Sequence, residues 1–258
     1  MYGRPLAQKL CLLGGAADAI ARIFLPMKQL MLLAVLASAC RPSDGAARNN
    51  PAQGGSATPA ASAAAADSAR QNALLERADR GRIQGDTAAK IWIVEVSDFE
   101  CPFCRQWHEE TYPAIVSEYI KPGIVRMAYV NFPLAQHPHA LPAAEAAMCA
   151  AAQDKFWPLH DAIFNTQRQW VGITDAMPMY DSLAVSVGVN PTEWRECVRS
   201  NVMRRLISAD RGRGLTAGVG STPTFFVGDE PLKGAAPIDA FRAAIARARA
   251  KAGASAPR

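Results

Sequence analysis

The stretch Asp-Phe-Glu-Cys-Pro-Phe-Cys, residues 98 to 104, holds Cys101 and Cys104 with two residues between them. Two sulfurs at that spacing can clamp a metal, staple the chain, or exchange two electrons as a reversible disulfide. Pro102 suits the first position of a helix, where its missing N–H costs nothing. Cys101 then faces unpaired amides and the positive end of the helix dipole, which favour thiolate over thiol. Cys104 returns one turn later. The spacing predicts an exposed, attacking Cys101 and a shielded, resolving Cys104. Zinc generally takes four ligands, and a second close pair is missing: Cys149 and Cys197 are isolated, and proline separates His137 from His139, so no metal is expected. A permanent staple is disfavoured, because so short a loop at a helix start gains little closure entropy.

The pair must be positioned by a strand before it and a helix after it. Residues 91–99, Ile-Trp-Ile-Val-Glu-Val-Ser-Asp-Phe, have buried-strand character, and residues 124–132 are a second such run. Between them, residues 102–120 place Phe103, Trp107, Ile115, Val116, Tyr119 and Ile120 near one helical face, with Pro113 bending the helix. An Ala-rich helical block follows, about 139–216. Within it Asn190, Pro191 and Glu193 make a helix start: a side-chain cap, a proline in the first turn and a carboxylate three positions on. Residues 221–235 read as two short strands around a turn, and 237–250 as a closing amphipathic helix. Strand, helix, strand, helical insertion, then two strands and a helix make an α/β fold.

The chain has 258 residues, half of them apolar, and a net charge of +5. Arg4, Lys9, Arg22 and Lys28 against Asp18 supply most of that charge within the first 39 residues, so nucleic-acid binding gains little support. Those residues read as an upstream extension plus an export signal: Lys28, an apolar run Leu30 to Leu36, and small residues before Cys40, with translation starting at Met27. The run is too short for a membrane span. Leu-Ala-Ser-Ala-Cys ahead of Arg41 resembles a bacterial lipobox, making Cys40 a lipidation site and membrane anchor; ordinary signal cleavage before Cys40 fits as well. Both place the protein outside the cytoplasm, in a periplasmic or similar compartment. Residues 40–69, rich in Ala, Ser, Gly and Pro, read as a flexible tether, residues 70–252 as one domain, and 253–258 as a disordered tail. No internal repeat is visible.

Several landmarks in order, Arg-Gly-Arg-Ile-Gln-Gly-Asp (80–86), the 94–104 stretch, Asn-Phe-Pro-Leu (131–134), residues 143–164 and residues 218–235, resemble the DsbA-like thiol:disulfide oxidoreductases of thioredoxin-like fold over about residues 78–248. The resemblance implies that Cys101 and Cys104 are the redox pair and that no cofactor beyond their disulfide is needed. It implies that Pro223 is a cis-proline facing the pair and that Thr222 pairs with an extended substrate peptide, with Pro102 and Phe103 beside that surface. Glu95, six residues before Cys101, matches a buried acid that exchanges a proton with Cys104; from the residues alone it could equally be a strand-edge carboxylate paired with a surface cation. Phe103 stands where DsbA has histidine and Glu100 adds negative charge, so the Cys101 pKa is expected between the roughly 3.5 of DsbA and the roughly 7 of thioredoxin.

The resemblance implies an oxidase that introduces disulfides into reduced, unfolded exported proteins and is itself re-oxidised by a quinone-linked membrane partner. Thr222 before the proline resembles the disulfide isomerases, which keeps isomerase open; a reductase, or a non-catalytic peptide-binding adaptor or chaperone of the same fold, are the other readings. With Cys40 lipidated and the redox pair closed, Cys149 and Cys197 remain as partners for a structural disulfide in an oxidising compartment; the alternative is two buried thiols packing as small hydrophobes. His108 reads as a helix-surface residue, and His139 and His160 as core or rim.

Overall fold

The computed structural model describes residues 59–254, so the leader, Met27, Cys40 and residues 40–58 of the expected tether lie outside the described residues. From Pro59 the chain is helical. Helix α1 (Pro59–Gly81) takes in residues 59–69, which the sequence reading assigned to the flexible tether. Alanine, which made this stretch look unable to pack, is also the strongest helix former, and burial of Leu75 and Ala78 fixes the helix downstream. Gly81 brings α1 against α4 (Ala140–Ala151) so closely that a Cβ would stand 2.2 Å from the Ala151 carbonyl oxygen.

Five strands form one sheet: β1 (Ile83–Gln84), β2 (Ile91–Ser97), β3 (Val125–Asn131), β4 (Thr224–Val227) and β5 (Glu230–Lys233), in the order β1-β3-β2-β4-β5. Only β2 and β3 run parallel, and a parallel pair needs a long crossover. That crossover is not one bent helix over 102–120. It divides into α2 (Pro102–Glu110), α3 (Tyr112–Ile115) and a π-helical segment (Val116–Ile120). Pro113 has no N–H for the helix ladder, and its ring crowds the carbonyl four residues back; the break falls at Thr111, whose hydroxyl donates to the Ala236 carbonyl at 3.1 Å. Phe103 is also not on the buried face: it is 60 % exposed, whereas Trp107 and Ile115 are fully buried.

Alternation along β2 splits the core. Ile93 packs with Trp107, Ile115, Phe225 and, from α10 (Ile238–Ala254), Phe241 on one face. Val94 and Val96 pack with Val130, Phe132 and Phe226 on the other. There α9 (Arg204–Thr216) lies so close that a Cβ on Gly214 would stand 2.8 Å from the Phe132 ring. Between β3 and β4 the chain is helical: α4, α5 (Phe156–Asn165), α6 (Gln167–Trp170), α7 (Met177–Ser186), α8 (Pro191–Ser200) and α9. Helix α8 starts as its sequence indicates, with Asn190 Oδ1 accepting from the Thr192 and Glu193 amides at 3.0 and 3.3 Å. The closing helix runs through Ala254, so residues 253 and 254 are helical and not part of a tail.

A buried ion pair joins the ends of this arrangement. Arg82, just after α1, pairs with Asp79 and with the fully buried Asp210 of α9. It also donates to the Tyr129 carbonyl at 3.1 Å. Asp210 accepts in addition from the Asn131 backbone and side chain at 3.1 and 3.0 Å, at the end of β3. Removing one partner of a buried pair strands the other charge. Asp210→Ala is expected to cost about 3–5 kcal/mol in chemical denaturation, and Arg213→Ala, which removes a more exposed partner of the same carboxylate, no more than about 1 kcal/mol. Equal losses in the two variants would refute this assignment.

Candidate active site

Cys101 is the residue that caps α2. Its backbone is extended (φ −68°, ψ 124°), no side chain caps the helix, and Pro102 follows as the first helical residue. The Asp98 carbonyl holds the Cys101 amide at 3.1 Å, completing a turn from β2 into the helix. Across the sulfur lies the loop before β4, where the Thr222–Pro223 peptide bond is cis. Cys101 Sγ stands 3.4 Å from the Thr222 carbonyl oxygen, to which the thiol form donates.

The surroundings set the two sulfurs far apart in acidity. The Cys104 thiol donates to the Cys101 sulfur; burial opposes this, and the Thr222 side chain and the amides of Cys104 and Phe103 add to it, so the Cys101 pKa falls to about 6. That value lies inside the interval expected from the sequence. Burial first, then the adjoining Cys101, push the Cys104 thiol well up. One expectation fails: Cys101 is not exposed but only 3 % accessible, because Thr222 and Pro223, both buried, close over it. Pro102 and Phe103 are the exposed members of the motif.

Glu95 lies in β2, paired in register with Tyr129 of β3 and Phe225 of β4. It is fully buried, and neither carboxylate oxygen has a hydrogen-bond partner. It is therefore not a strand-edge carboxylate with a surface cation. Burial raises its pKa to about 8, the nearby Ser97 hydroxyl working against the shift and the Asp161 charge with it. The Tyr129 hydroxyl, also buried, feels both Glu95 and Cys104, so its surroundings join the carboxyl to the Cys104 thiol.

Two residues that sequence reasoning missed hold the turn. Buried Asp98 accepts from the Glu100 amide at 2.8 Å, the Leu134 amide at 2.9 Å and His137 Nδ1 at 2.7 Å. Burial raises its pKa against these bonds. Gln167, in α6, donates from Nε2 to the carbonyls of Phe99 and Cys101 at 2.7 and 3.0 Å, and its Oε1 accepts from Arg105 Nε at 3.0 Å. Nothing local in the sequence marks Gln167, which is 66 residues from Cys101. Glu100, read as a charge opposing the thiolate, accepts from the His139 amide at 2.6 Å.

The remaining candidates fall as follows. Cys149 of α4 and Cys197 of α8 form a disulfide with Cα atoms 5.8 Å apart. His160 is fully buried, and His108, expected on the surface, is buried too, since the α2 face it shares is covered by α5. His139 caps α4 and packs edge-on to Trp170.

Residues 77–247 match the family model described as Thioredoxin. The chain is 33 % identical over 177 residues to the Na(+)/H(+) antiporter NhaA 3 of Salinispora tropica, covering 67 % of this chain and 26 % of that protein. It thus spans about a quarter of the length of the antiporter relatives it matches. It is 27 % identical over 148 residues to the probable disulfide bond formation protein D of Bacillus anthracis, covering 55 % of this chain and 67 % of that one. Among solved structures, oxidised BdbD of Bacillus subtilis superposes with a TM-score of 0.59 at 23 % identity, over 65 % of this chain and 92 % of its own, a likeness of fold.

Two measurements check the electrostatics. Alkylation of the reduced protein should show Cys101 half-reactive near pH 6 and Cys104 inert through neutrality; a Cys101 midpoint at the free-thiol value of about 8.5 would refute the amide-stabilised thiolate. Glu95 has a folded pKa above its unfolded one, so the stability it permits is full below about 4.5 and is lost as pH rises through about 8. Glu95→Gln should therefore match wild type at pH 4.5 and exceed it progressively to pH 8, by an amount on the order of a few kcal/mol. A constant difference across that range would mean that Glu95 ionises normally.

Proposed function

This chain belongs to the thioredoxin family, and we propose that it is an exported, DsbA-like thiol:disulfide oxidase, passing a Cys101–Cys104 disulfide to reduced proteins. The observation that carries this reading is the Cys101 sulfur at the start of α2, made acidic and set 3.4 Å from the Thr222 carbonyl before cis-Pro223. An acidic sulfur is a good leaving group and a stable product of reduction, and both favour donating the disulfide.

In the proposed reaction a substrate thiolate attacks Cys101 Sγ. The Cys101–Cys104 bond breaks as the mixed disulfide forms, and the leaving Cys104 sulfur takes a proton, which Glu95 supplies. A second substrate thiolate attacks the substrate sulfur, and Cys101 departs as thiolate. The substrate loses two electrons and the protein gains them; of the two substrate thiol protons, one re-protonates Glu95 after its transfer to Cys104 and the other goes to solvent. Exposed Phe103 and Pro102, with Thr222 opposite, form the surface for an extended peptide.

Re-oxidation returns two electrons to a quinone-linked membrane partner. Residues 27–40 would deliver the protein across the membrane and Cys40 would anchor it. Among the described residues no helix is long and apolar enough to cross a membrane.

The test is oxidation of reduced ribonuclease by the disulfide form, with Cys101→Ser as control, beside equilibration of the pair against glutathione. Catalysed oxidation lost in the variant, with a midpoint more oxidising than about −230 mV, is expected. A midpoint near thioredoxin's, roughly −270 mV, would replace oxidase with reductase. Equal rates in both proteins would leave a peptide-binding adaptor.

A further inference from the structure

Away from the sulfurs, three side chains converge between α2 and α5. His108 Nε2 lies 3.1 Å from Asp161 Oδ1, and His160 Nδ1 reaches the same oxygen at 2.8 Å. The three donor atoms all lie within 4.8 Å of one another. The rings are fixed before any ligand arrives. His108 is stacked on Tyr112 and Phe164 with centroids 5.3 and 5.1 Å away, and His160 stands edge-on to Phe164 at 5.0 Å. Both histidines are buried, whereas the Asp161 side chain is 44 % exposed, so the cluster opens to solvent on one side.

We propose that His108, His160 and Asp161 bind a divalent transition-metal ion of the zinc class, with a fourth position open to water on the Asp161 side. Two imidazoles and one carboxylate are a donor set such ions accept. Ligands at about 2.0–2.1 Å in tetrahedral arrangement stand roughly 3.3 Å apart. The two approaches to Asp161, at 3.1 and 2.8 Å, would open slightly to reach that length, and the histidine nitrogens, within 4.8 Å of each other, would close to it.

Binding moves each imidazole proton to the other ring nitrogen, His108 Nδ1 and His160 Nε2, which have no hydrogen-bond partner. No net proton is released by that exchange of tautomers. Sequence spacing hides the site, because its members lie on two helices more than fifty residues apart.

The test uses Co2+ and tag-free full chain with the Cys101–Cys104 disulfide closed, so that no thiolate of the pair can bind. One Co2+ per chain with d–d absorption of tetrahedral intensity is expected, together with a rise in thermal midpoint. His108→Ala and the near-isosteric Asp161→Asn should each weaken binding by at least about tenfold, and His139→Ala should leave it unchanged. The proposal is overturned by absence of Co2+ binding at millimolar concentration, by wild-type affinity in both site variants, or by loss of binding in His139→Ala instead.

Discussion

The Cys101 sulfur occupies the place of a capping oxygen. A serine or aspartate at that position would satisfy the first amides of the helix with its side chain; here no oxygen does so, and the amides of Phe103 and Cys104 favour the thiolate. Capping is ordinarily worth about 1 kcal/mol to a helix. Placed on an ionisable sulfur, the same interaction acts on one protonation state alone and becomes a pKa shift. The turn from β2, the proline at the helix start and the burial of Cys104 all serve to keep that sulfur over those amides.

Such an arrangement is useful only if the turn cannot relax, and its supports come from three distant parts of the chain. Asp98 ties the turn to the loop after β3, Gln167 ties its carbonyls to α6, and the Thr222–Pro223 loop covers the sulfur. The acidic residues beside Cys101 are compatible with a thiolate because their lone pairs are committed elsewhere. Asp98 faces two amides and a histidine, and Glu100 faces the His139 amide. Glu95 differs in having no hydrogen-bond partner, and burial raises its pKa to about 8.

What could be read from the sequence was local. The Cys-Pro-Phe-Cys spacing specified a sulfur at a helix start, Asn190 and Pro191 specified a helix start, and the β-branched apolar run of β2 specified a buried strand. Glu95, Pro223 and the Cys149–Cys197 partnership could be named from resemblance or compartment, but their surroundings could not. What escaped was non-local. Gln167 and Asp210 look like surface residues of polar helices until the fold sets them against backbone carbonyls and Arg82. His108 looked exposed because the element covering it is encoded fifty residues later. Residues 59–69 were misjudged for another reason: an alanine-rich stretch lacks the apolar contrast that marks a packed helix, yet has the highest intrinsic tendency to form one.

The two cysteine pairs sit in opposite surroundings: Cys149 and Cys197 are joined in a disulfide, and Cys101 and Cys104 are free thiols. Cys149 and Cys197 sit within α4 and α8, where the backbone amides are already used by the helices; both side chains are buried, and their bond closes a loop with a sequence separation of 48. Loop closure favours the oxidised form there. Cys101 and Cys104 are separated by a single helical turn, so closure would contribute little, while the Cys104 thiol first, and the unused amides after it, favour the Cys101 thiolate. Helix position thus separates the two pairs: a cysteine inside a helix meets amides that are taken, and a cysteine at its start meets amides that are free.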